Sequence, residues 1–153
     1  MRRTSLLASA AALALGAAVP AQATAPEVSP ILGTQLVGSW RCAGTGGLAG
    51  FRFLTTFNQG GTFTVSFSDK VLSETHGVWK RTGLTTFASF DQAFLYDVNG
   101  IADRIQSVDA TYKIMSPTAL RIDISGVVSR LADDAVLMRF PAVVNCTRML
   151  IKK

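Results

Sequence analysis

The chain has 153 residues, 48% of them apolar and 16% charged, a balance that excludes disordered, collagen-like and coiled-coil architectures and fits one globular domain. Fifteen Lys and Arg stand against ten Asp and Glu. Without Arg2 and Arg3 the excess is 13 − 10 = +3, and no run of like charge gathers it into the basic stripe of a nucleic-acid binder.

Residues 1–23 have the tripartite pattern of a secretory signal. Arg2 and Arg3 supply a positive start, Leu6 to Val19 an Ala- and Leu-rich stretch, and Ala21-Gln22-Ala23 a small-x-small cleavage site. Cleavage is expected before Thr24, giving an extracytoplasmic protein, periplasmic or secreted. The apolar stretch is shorter than the roughly 20 residues that span a bilayer, so no stable membrane insertion is expected. The paired arginines leave the export route open, because Thr4-Ser5 follow where a twin-arginine signal prefers hydrophobic residues. Thr24–Pro30 is expected to be a flexible leader and 31–153 a single domain.

Cys42 and Cys146 are the only cysteines, and an even count in an oxidising compartment favours a disulfide over a metal site or a catalytic thiol. Two buried free thiols are the alternative. Closing a loop of 146 − 42 = 104 residues removes denatured-state entropy equivalent to about 4.7 kcal/mol in the chain-entropy treatment.

Eight strands follow in chain order. Ser39–Ala43 is the first. Phe51–Phe57 and Thr62–Ser68 flank Asn58-Gln59-Gly60-Gly61, a hairpin signal. Gly77–Arg81 turns at Thr82-Gly83 into Thr85–Tyr96, and Asp97-Val98-Asn99-Gly100 turns that strand into Ile101–Ile114. Ser116-Pro117 closes the sixth strand, and Leu120–Leu131 alternates apolar with polar residues up to the turn at Asp133-Asp134. The last strand runs from Ala135 to about Ile151, with an interruption or bulge expected at Pro141, which has no N–H for a ladder. Only Pro30–Val37 is expected to form a short helical turn.

Eight sequential strands with tight turns favour an antiparallel up-and-down barrel over a Greek-key sandwich. The cysteines lie in the first and last strands, where a disulfide would fasten the ends of the meander together. If Cys42 stands opposite Cys146, Trp40 falls opposite Arg148 on the same face. A guanidinium over an indole contributes about 0.5–2 kcal/mol.

Gly38-Ser39-Trp40 with the late basic residue Arg148 resembles the Gly-x-Trp signature of the lipocalins and the wider calycin superfamily. Thr56–Phe63 and His76–Gly83 are also similar to a pattern in small exported bacterial lipocalin-like proteins. The likeness covers about Gly38 to Gly100 plus the final strand; the other long lipocalin motifs and a C-terminal helix are missing. The resemblance implies an eight- or ten-stranded cup that holds a small hydrophobic molecule.

Phe63, Val65 and Phe67 share one strand face, as do Phe90, Phe94 and Tyr96, and these residues with Tyr112 are the candidate ligand contacts. The alternative is that the aromatics simply fill the core. His76, the sole histidine, near Glu74, is the only candidate catalytic base. One histidine and two paired cysteines leave no ligand set for zinc or another transition metal, and no cofactor is expected. Asp91, Asp103, Arg104 and Asp109 lie on long strands; any that point inward become functional candidates, because an unpaired buried charge is costly. Gly44-Thr45-Gly46-Gly47 lacks the Lys-Ser/Thr of a phosphate loop and is expected to be a flexible loop at the barrel mouth.

Three functions fit: an exported carrier of a small hydrophobic compound, a barrel cyclase or isomerase acting on an apolar substrate, or a packed structural barrel without a ligand. A charge such as Asp91 or Arg104 inside the cup favours the enzyme. An outer-membrane barrel fits less well, since interfacial aromatic bands are missing and the chain ends in Ile151-Lys152-Lys153.

Overall fold

A computed structural model describes residues 35–68 and 70–151. The signal, the leader and the first part of the turn expected over Pro30–Val37 lie outside the described residues. Eight antiparallel strands close into an up-and-down barrel in the order β1-β2-β3-β4-β5-β6-β7-β8. They are β1 (Gly38–Gly44), β2 (Arg52–Phe57), β3 (Thr62–Phe67), β4 (Thr75–Arg81), β5 (Thr86–Tyr96), β6 (Ala102–Ser116), β7 (Ala119–Arg130) and β8 (Val136–Arg148). Strands β5 to β8 have 11 to 15 residues and β1 to β4 have six or seven. The longer half therefore extends past the shorter one.

Closure depends on the β1/β8 seam. Cys42 pairs with Cys146 and Trp40 with Arg148, in the expected register, and the two cysteines form a disulfide, with Cα atoms 4.0 Å apart. The period of two then assigns an inner face to Trp40 and Cys42 on β1 and to Val144 and Cys146 on β8, all buried.

The expected interruption at Pro141 is not there: Pro141 pairs in register with Ser125, and the irregularity in this ladder falls between Val128 and Ser129. The reason is geometric. Val143 O accepts from Thr45 N at 3.0 Å across the β1 side, so Pro141, two residues away, also directs its backbone nitrogen to that side. There β1 has already ended at Gly44, and the proline has no ladder bond to lose.

One end of the barrel is packed shut. Trp40, Phe57, Phe63 and Phe87 are fully buried there. Phe57 stacks on Phe63 at 5.2 Å and meets Tyr112 edge-on at 5.1 Å, while Trp79 is edge-on to Phe87 at 5.6 Å. Trp40 donates its indole N–H to Leu36 O at 2.9 Å. The Arg148 guanidinium lies 4.3 Å from the Trp40 ring centre and donates to Val37 O at 2.8 Å, to Pro117 O at 2.9 Å and to Gln35 O.

At the other end, Gly44-Thr45-Gly46-Gly47 is more structured than a flexible loop. Gly46–Leu48 forms a 3₁₀ turn, tied down where Thr45 donates its N–H and hydroxyl to Val143 O at 3.0 and 2.8 Å. It places Leu48 at the barrel mouth.

Candidate functional site

Above the aromatic floor the barrel is hollow. A cavity of about 400 Å³ extends from Tyr112, Thr55 and Ile122 up to Leu48, Phe51 and Met138. Met138 is more than half exposed, so the cavity reaches solvent at that rim. Its wall is mostly apolar, with Phe53 and Val65 from the short strands facing Val108 and Ile124 from the long ones. Phe51, Phe53 and Phe67 form a triangle of rings with centres 5.5 to 6.1 Å apart.

Two glycines shape this interior. A side chain on Gly126 would run into the Phe140 ring, which crosses it from the paired strand. A Cβ on Gly77 would collide with the Phe63 ring and sit 2.7 Å from Asp91 Cβ. Gly77 therefore lets a floor aromatic and an acid converge from the neighbouring strands.

The polar part of the wall is small. Asp91 and Thr55 line the cavity at only 8% and 2% exposure, and Gln106 joins them. The Tyr112 hydroxyl shares a 2.9 Å hydrogen bond with Ser89, and burial pushes the phenol pKa well up despite that bond. Thr55 Oγ1 is buried without a hydrogen-bond partner, as is Thr75 Oγ1 on β4. Among the described residues the Asp91 carboxyl has neither a hydrogen bond nor an ion pair. Burial, reinforced by the negative charge of Asp109 on the outer face of β6, pushes its pKa up to about 7.

The expected ligand contacts divide. Val65, Phe67 and Tyr112 line the cavity. Phe63 lies beneath it in the floor stack. Phe90 and Phe94 need correction: they are 43% and 47% exposed on the outer face. The inner face of β5 is instead Phe87, Ser89, Asp91 and Ala93. Phe90 is set opposite Val78, itself exposed, in an apolar cross-strand pair outside the barrel. Tyr96 is half-buried beside the irregularity between Leu95 and Tyr96, outside the cavity lining.

His76 is exposed on β4 between Thr64 and Gln92 and faces away from the cavity, while Glu74 accepts a hydrogen bond from Ser66. Of the four charged residues singled out on the long strands, Asp91 points inward. Asp103 and Asp109 are exposed, and Arg104 is held at the rim by Asp103 at 2.8 Å and by Tyr96 O.

Sequence reasoning missed Phe51, Phe53, Thr55, Met138 and Phe140 as lining residues. The signal was available on β8: counting back by twos from Cys146 reaches Phe140 and Met138. Among the described residues no three of His, Cys, Asp and Glu gather in a metal-binding group, and no helix is long and apolar enough to cross a membrane. No family model, no curated protein and no solved structure matches this chain.

Proposed function

We propose that the barrel binds and carries a small, largely apolar molecule outside the cytoplasm, in the manner of the calycin-like proteins that Gly38-Ser39-Trp40 and Arg148 resemble. The observation that carries this reading is the cavity, about 400 Å³ and walled mainly by apolar side chains. It falls in the range of pockets that enclose small ligands, and it sets the protein apart from a barrel packed solid. The Cys42–Cys146 disulfide and the signal-like residues 1–23 support the extracytoplasmic placement.

The test is native mass spectrometry of protein purified from its own compartment, followed by extraction of any retained compound. A stoichiometric apolar adduct that disappears in Val65→Trp, a substitution that fills the cavity, supports carriage. A bare mass together with failure to take up added apolar compounds rejects it.

The inward position of Asp91 favours a second reading, a barrel isomerase or cyclase. A carboxyl that holds its proton near neutrality in an apolar chamber is suited to donate and recover that proton. Recovery of a bound compound unchanged supports carriage; recovery of an isomer that forms only when Asp91 is present supports catalysis.

A further inference from the structure

The cavity offers its guest one charged group, and that group is an acid without a counter-ion. No Lys, Arg or His lines the cavity. Four arginines share the inward parity of their strands, and all are engaged elsewhere: Arg81 with Gly83 O and Leu84 O, Arg148 with carbonyls around the closed end, Arg104 with Asp103 and Tyr96 O at the rim, and Arg130, opposite Arg104, with Asp133 at 2.9 Å. The strands flanking Asp91 supply no cation either. β4 turns Thr75, Gly77 and Trp79 inward and keeps His76 and Lys80 outside, while β6 presents Tyr112 inward and Asp109 outward.

Burying a carboxylate without a partner is costly, whereas a paired and hydrogen-bonded one is tolerated. The partner missing from the protein can come with the guest. We propose that the guest is a lipophilic amine, whose ammonium pairs with the Asp91 carboxylate and whose apolar body fills the space between Phe53, Phe67 and Ile124. The assignment rests on the cavity binding a guest at all, as proposed above. An ammonium carries three donors and no acceptor. The cavity wall adds oxygens able to accept from a polar guest: the unpartnered Thr55 Oγ1 and the Tyr112 hydroxyl, linked to Ser89. Aromatic faces in the wall also favour a cation over an anion. A fatty acid, by contrast, would bring a second carboxylate to Asp91 with no cation between them, so like-charge repulsion selects against it.

Proton balance gives an independent signature. Below neutrality the empty site holds a proton on Asp91. An alkylammonium that enters and pairs with the carboxylate displaces that proton to solvent, while the amine keeps its own. Binding therefore releases about one proton per ligand well below pH 7 and close to none well above it.

The experiment is calorimetric titration of the mature protein with n-decylamine, n-decanol and n-decanoate, in buffers of differing ionisation enthalpy. The expected result above neutrality is decylamine binding about tenfold or more tighter than decanol, with decanoate weakest. Asp91→Asn should abolish the preference for the amine over decanol. Should that variant fail to fold, the charge series and the proton release in the unmodified protein decide the matter alone. If decanol binds and decylamine binds no better, or binds without releasing a proton below neutrality, the amine assignment is wrong and the apolar carrier stands. If none of the three binds, both fall.

Discussion

Asp91→Asn removes one ionisable proton from the interior with little change of shape, and its effect on stability can be worked out with its sign. The Asp91 pKa rises from 3.8 to about 7 on folding. Below the lower value both the folded and the unfolded chain hold the proton, and the carboxyl adds no pH dependence. Between the two values the folded protein keeps a proton that the unfolded chain has released, so each pH unit of increase costs about 1.4 kcal/mol of stability. Above about 7 both forms are ionised and the accumulated penalty, roughly 4 kcal/mol, stays constant. Urea unfolding of the native sequence and of Asp91→Asn, at intervals from about pH 4 to about pH 8, measures the difference directly. An asparagine amide with no partner adds its own pH-independent offset, so the informative quantity is the slope between the two curves. The variant should gain on the native protein steadily up to neutrality and then run parallel to it. The shifts at Asp97 and Asp123, both lowered by their hydrogen bonds, are common to both proteins and cancel. A constant difference, or a native protein that gains on the variant as pH rises, would refute the buried, unpaired carboxyl.

Other substitutions probe the rest of the barrel. Trp40→Ala empties a fully buried position and strips Arg148 of its stacking surface; a loss of about 3–5 kcal/mol is expected in urea unfolding. Arg148→Lys cannot reproduce donation to carbonyls of Gln35, Val37 and Pro117 together with the indole contact, and should lower stability by about 1–3 kcal/mol in the same assay. Reduction of Cys42–Cys146, followed by alkylation, reopens a separation of 104 residues and should cost up to about 4.7 kcal/mol, visible as a lower thermal midpoint. Phe94→Ser on the outer face should leave uptake of decanol within about twofold of the native protein, whereas Val65→Trp should abolish it, both read by calorimetry.

How far the sequence could be read depends on how far the phase of a strand can be carried from a fixed point. The disulfide is such a point. Once Cys42 faces Cys146, alternation places Trp40 over Arg148 and makes Val144, Phe140 and Met138 inward residues. From β2 the four-residue turn Asn58–Gly61 carries the phase onward by pairing Phe57 with Phe63, which puts Val65 and Phe67 on the inner face. On β7 the alternation of Ile122 and Ile124 with charged neighbours speaks for itself.

The phase is lost between β3 and β4, where the connection from Ser68 to Glu74 is too long for turn geometry to transmit register. On β5 composition then misleads, because both faces are apolar in part. Phe87 lies inside while Phe90 and Phe94 lie outside, and no two-residue period can bury all three. Choosing the face with more aromatics turns Asp91 outward, the opposite of its position. The clue lay in the glycine on the neighbouring strand. Gly77 has no side chain, so opposite it Asp91 can stand beside the Phe63 ring; any larger residue there would push floor and acid apart. Gly77→Ala therefore tests whether the acid's position matters to binding. The added methyl should cost about 1–3 kcal/mol as overpacking and should disturb the amine preference more than decanol affinity, because it displaces the carboxyl rather than the apolar wall. Equal weakening of both ligands in calorimetry would place the effect in the floor alone and separate the geometry of Asp91 from the capacity of the cavity.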